Sequence, residues 1–125
     1  MVMKMSTNDK SFDRETEFRN AFYFIKRWVK QPFTITHGRY YSQLDKTFAK
    51  NVYEFIESIQ NVREASFEEK LNKLESFVEK ENSHEIRESH KRKSFSSPYL
   101  RIILSYIKRS KEDIENERPV QKRRK

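Results

Sequence analysis

The chain has no cysteine and a single glycine in 125 residues. The first absence excludes disulfides and thiolate metal sites. The second leaves only Gly38 and the prolines Pro32, Pro98 and Pro119 as strong turn formers, which speaks against a hairpin-rich β fold with its Gly and Asn-Gly corners. No apolar run approaches the ~18 residues of a membrane span, and residues 1–9 lack the apolar stretch of a signal peptide. No membrane partner is therefore expected, and the compartment reads as intracellular, with nucleus and cytoplasm both open. Enzyme signatures are missing too: no Gly-rich phosphate loop, no nucleophile elbow and no Cys nucleophile. The expectation is a non-enzymatic chain with no cofactor.

What remains is charge and aromatics. Charged residues make up 37% of the chain and apolar ones 34%, so any core is thin. Ten Phe, six Tyr and one Trp nevertheless argue for a folded chain, because disordered sequences are aromatic-poor. One domain fits the length.

Apolar spacing predicts an all-α fold: a small bundle of about four helices, a helical hairpin plus two more, with a disordered basic C-terminal tail. Residues 1–10 read as a mobile N-terminus, 11–116 as the helical domain and 117–125 as the tail. The first helix is expected over 13–30, where Phe18, Ala21, Phe22, Ile25, Trp28 and Val29 recur at helical spacing. Pro32 is expected to stop it. A second helix, from Arg39 or Tyr40 to Ile59, carries Tyr41, Leu44, Phe48, Val52, Phe55 and Ile56, and should pack antiparallel on the first.

Ser66 and Glu69 have the spacing of a capping box, opening a third helix expected to reach about Lys80. Its Glu68, Glu75 and Glu79 make an acidic outer face. From Glu81 to Ser96 the apolar pattern fails, which suggests a mobile loop or a short helix over 84–90. Ser97 and Pro98 then read as N-cap and first helical residue of a last helix reaching Asn116. It carries Leu100, Ile103, Leu104, Ile107 and Ile114 on one face. A second flank of Tyr99, Ile102 and Tyr106 suggests a partner interface.

The formal net charge is +8. Between Lys91 and Lys111 there are seven Lys or Arg and no acid, whereas residues 42–82 hold nine Asp or Glu against six Lys or Arg. Segregated positive charge favours polyanions. Candidate nucleic-acid-binding residues are Arg19, Lys26, Arg27 and Lys30 on the first helix, with Tyr23 placed to stack on a base or sugar. Lys91, Arg92 and Lys93 precede the last helix, and Arg101, Lys108 and Arg109 lie along it with Ser105 between them. Lys122, Arg123, Arg124 and Lys125 form a tail that resembles an import tetrapeptide or a polyanion arm.

No metal site is expected. His84 and His90 flank Glu85 and Glu88 but lack the partners that complete coordination, and His37 beside Gly38 suits capping better than catalysis. Two functions fit these features. One is nucleic-acid binding, to RNA or DNA, through phosphate contacts. The other is a protein–protein adaptor, a homo-oligomer or a small structural subunit of a larger complex, ribonucleoproteins included.

Overall fold

In a computed structural model that describes residues 12–34 and 42–120, the chain is all-α. Four long helices, α1 (Arg14–Val29), α3 (Gln43–Gln60), α4 (Phe67–Arg92) and α5 (Tyr99–Glu115), surround one core, and a single turn, α2 (Gln31–Thr34), follows α1. Helix α1 ends before Pro32, as expected, but Pro32 then lies in the first turn of α2, where its missing N–H loses no helical partner.

Local chemistry sets the helix starts. Ser66 Oγ accepts from the Glu69 N–H at 3.1 Å while Glu69 accepts from the Ser66 N–H at 3.0 Å, the expected capping box. Helix α3 starts on a second box: Ser42 Oγ accepts from the Asp45 N–H at 3.0 Å, and Asp45 accepts from the Ser42 N–H at 3.2 Å. Its start therefore falls at Gln43, later than expected. Ser97 Oγ accepts from the Tyr99 N–H at 3.2 Å, so Ser97 caps α5 although the helix proper begins one residue after Pro98.

Cross-helix contacts give the topology. Lys26 meets Glu57 at 3.7 Å and Lys30 lies over the Tyr53 ring at 5.8 Å, so rising numbers in α1 meet falling numbers in α3. Phe55 stacks on Phe77 at 4.3 Å, turning α4 back along α3. Lys108 reaches Glu75 and Glu79, each at 3.2 Å, so α5 runs against α4. Tyr99 donates to the Val29 carbonyl at 3.0 Å, and the Val120 N–H donates to Glu17 at 2.8 Å, so α5 also runs against α1. The result is an up-down-up-down bundle. Its core is built of Phe18, Phe22, Ile25, Trp28 and Val29 from α1, Phe48, Val52 and Ile56 from α3, Leu71, Leu74 and Val78 from α4, and Leu100, Ile103, Ile107 and Ile114 from α5.

Three expectations are corrected. The stretch from Glu81, expected as a mobile loop or a short helix over 84–90, instead continues α4 without a break to Arg92, because Glu85 and Ser89 occupy the buried positions that follow Leu71, Leu74 and Val78 at helical spacing. Tyr99, expected at a partner interface, is 6% exposed and belongs to the core; Tyr106 is half-buried against Trp28, ring centroids 5.0 Å apart. Residues 117–120 do not behave as free tail, since Val120 is bound to the buried Glu17 carboxylate and packs on the core. The expected mobile N-terminus (1–10), His37, Gly38, Tyr41 and the tail cations Lys122, Arg123, Arg124 and Lys125 lie outside the described residues.

Candidate nucleic-acid interface

Charge is sorted along the bundle axis. One half joins the last turns of α1, the start of α3, the end of α4 and the start of α5. It is tied together at Ser97, whose hydroxyl donates to Asp45 at 2.5 Å and whose N–H donates to Glu85 at 2.9 Å. This half (residues 26–34, 42–51 and 80–107) holds eleven Lys or Arg against four Asp or Glu. The other (residues 12–25, 52–79 and 108–120) holds nine against fourteen. Over all described residues the cations do not outnumber the acids by much, so any attraction for a polyanion rests on this partition.

Three acids of the basic half point inward or are engaged. Glu85 is buried and accepts from both terminal nitrogens of Arg92, at 3.2 and 2.8 Å, and from the Ser97 N–H. The Arg92 hydrogen bond, with help from the Ser97 N–H, outweighs desolvation and holds the Glu85 carboxyl below the usual carboxylate range. Asp45 is shared between the α3 cap and Ser97. Glu88 meets Lys91 in an exposed pair at 3.3 Å, the kind worth only about 0.2–1 kcal/mol. Among the described residues, Arg27, Lys30, Lys46, Lys50, Lys80, Arg87, Lys93 and Arg101 have no acidic partner. The negative carbonyl ends of α1 and α4 lie in this half, so part of its charge complements helix dipoles. That cannot explain Lys46, Lys50 or Arg101, which sit toward helix N-termini.

The candidate residues divide accordingly. Arg27, Lys30, Lys93 and Arg101 share the basic half with no acidic partner among the described residues, and Lys91 lies there in its exposed pair with Glu88. Lys26 sits at the boundary, paired with Glu57 and hydrogen-bonded to Gln60 of the acid-rich half, and Arg92 is committed to Glu85. Arg19 and Arg109 belong to the acid-rich half, exposed and without an acidic partner among the described residues.

Lys108 does not form the expected strip with Arg101 and Arg109. It turns onto Glu75 and Glu79, and those bonds raise its pKa. Burial pushes Glu75 up, but hydrogen bonds from Lys111 and Lys108 outweigh it and bring its pKa below the ordinary value. The acidic face of α4 thus takes up two cations of α5. Tyr23 is exposed on α1, with its ring against Phe22 and Phe67.

Lys46, Lys50, Lys80 and Arg87 are part of the basic half that linear charge counting passes over, since the first three sit in an acid-rich stretch of sequence. Their signal is topological: antiparallel packing carries them to the end of the bundle where Lys91 and Lys93 lie. The His84 and His90 side chains are exposed while Glu85 turns inward. Among the described residues no group of three or more His, Cys, Asp or Glu is arranged to hold a metal ion, and no helix is long and apolar enough to cross a membrane. No family model, curated protein or solved structure matches the chain.

Proposed function

We propose that this chain is a non-enzymatic nucleic-acid-binding module that holds the sugar–phosphate backbone against the basic half of its bundle. The observation that carries this reading is the axial partition of charge, with eight cations of one half lacking any acid to satisfy them among the described residues. Phosphate contacts of this kind give affinity that falls with salt and carries little sequence preference. Fluorescence anisotropy with labelled oligonucleotides across a salt series tests it. The triple variant Arg27→Glu, Lys93→Glu, Arg101→Glu should weaken binding by about tenfold or more, and flatten the slope of log affinity on log salt by about 0.7–0.9 for each phosphate no longer neutralised. The matched triple Arg14→Glu, Arg63→Glu, Arg118→Glu, in the acid-rich half, should cost much less. Equal losses would reduce the effect to net charge, and a parent that binds nothing at low salt would sink the proposal.

A protein adaptor or small structural subunit is the second reading, and it rests on Ile102. This side chain is 44% exposed next to Arg101, and surfaces of opposite sign orient an incoming partner. If Ile102 seats a partner or a second copy, Ile102→Glu will lower the mass seen by light scattering without loss of helicity. An identical mass distribution for parent and variant, with no partner displaced in pull-down, removes this reading.

A further inference from the structure

Phe95 is 99% exposed in the turn between α4 and α5. A freely exposed phenylalanine forgoes about 1.5–3 kcal/mol of burial, and here the chain is anchored on both sides of it. Before it, the Ser94 N–H donates to the Ser89 carbonyl at 3.0 Å and Arg92 Nε donates to Ser94 Oγ at 3.1 Å. After it, Ser97 is bound to Glu85 and Asp45. The ring is thus presented by a fixed turn, at the tip of the basic half, with Lys93 beside it. A shallow depression lined by Ser89, His90, Lys93, Ser94 and Phe95 adjoins it.

We infer that Phe95 is a stacking platform for an unpaired base, so that the ligand of this face is a single-stranded nucleic acid. The inference rests on the proposed nucleic-acid function and narrows it. An aromatic ring with no polar atom can read only the face of a base, and that face is covered in a duplex. The Lys93 ammonium suits a phosphate next to a stacked nucleotide, and Ser94 offers a hydroxyl to the sugar or phosphate. A lipid surface fits less well. Its residents bury a continuous apolar face, whereas Phe95 stands between Ser94 and Ser96, and the other exposed apolar side chain of the turn is the small ring of Pro98.

The test uses the full chain with oligouridylate, oligothymidylate and a mixed-sequence duplex of matched length, all at low salt. Phe95→Ala should weaken single-strand binding by roughly 5- to 150-fold, the range for losing one base–aromatic stack, and leave duplex binding unchanged. Phe95→Leu should behave like Phe95→Ala, since it keeps apolar bulk but no ring. Phe95→Trp should bind like the parent, its emission quenched by either single strand; the buried Trp28 of the parent supplies the blank. Unchanged single-strand affinity in Phe95→Ala overturns the inference while leaving phosphate binding in place, and full affinity in Phe95→Leu overturns stacking. A blue shift of the new Trp on phosphatidylserine vesicles, without quenching by oligonucleotides, reassigns the turn to a membrane surface. If the parent binds neither single strand nor duplex, the proposed function fails and this inference falls with it.

Discussion

The two halves of the bundle use carboxylates in opposite ways, and helix α4 shows both. Glu75, in the acid-rich half, is half-buried at the edge of α5 and meets the more exposed Lys108 at 3.2 Å and Lys111 at 2.5 Å. Glu85, in the basic half, is buried beneath Arg92 and the Ser97 N–H. The first neutralises cations of the neighbouring helix where solvent and salt weaken the bond. The second engages one guanidinium, positions the turn that follows α4, and removes itself from the surface. Similar residues therefore give one half a balanced exterior and the other an unbalanced one. An acid that organises a basic surface from below leaves its outward charge available to a ligand.

The largest expected effect comes from breaking that buried support. Glu85→Ala leaves the Ser97 N–H without its acceptor, a loss of about 1–3 kcal/mol for a buried donor, readable in urea unfolding; Glu75→Ala should cost clearly less. Acid sharpens the contrast. Because the folded pKa of Glu85 is depressed, its contribution is fully present above the unfolded carboxylate value of about 4.3 and is lost as pH falls through the lower folded value. Glu85→Gln lacks that contribution throughout, so parent and variant should converge in stability toward strong acid. A stability difference that stays constant across that range would show that Glu85 contributes through packing instead of charge.

The same buried carboxylate explains what apolar patterning could and could not read. Helix α1, the second half of α3 and the Ser66–Glu69 box were legible because apolar spacing and capping chemistry act locally. The end of α4 was not, because Glu85 and Ser89 hold core positions with polar side chains, satisfied by Arg92 and by the Ile86 carbonyl. The Ser42–Asp45 box is hidden for a smaller reason: Asp replaces the usual Glu or Gln at its third position. For the candidate site, a helical wheel puts Arg101, Lys108 and Arg109 on one side of α5 but cannot see Glu75 and Glu79 on the next helix, which take up Lys108. Nor can it bring Lys46, Lys80 and Arg87 together, which requires the antiparallel order of the helices. The second apolar flank of α5 pointed to a partner because its cover, Trp28 and Val29, lies some seventy residues away in the chain.

A smaller effect separates stability from surface charge. Each half ends a helix on a left-handed residue that is not glycine: Lys93 with φ 59° and Glu117 with φ 55°. Both sit in the same closing motif. The Ser94 N–H reaches back to Ser89 at 3.0 Å, and the Arg118 N–H reaches back to Asp113 at 2.8 Å. Such a conformation costs an L-residue about 1–2 kcal/mol, and glycine relieves it at the expense of about 0.4–1 kcal/mol of added unfolded-state entropy. Lys93→Gly and Glu117→Gly should therefore each stabilise the fold by about 0.5–1 kcal/mol, seen as a higher urea midpoint with an unchanged slope. Their effects on oligonucleotide binding should diverge. Lys93→Gly removes a cation from the basic half and should weaken binding, whereas Glu117→Gly removes an acid from the other half and should leave binding unchanged or slightly stronger. Parallel changes in binding would mean that affinity follows rigidity of the helix ends, and the partition of charge between the halves would then lose its functional meaning.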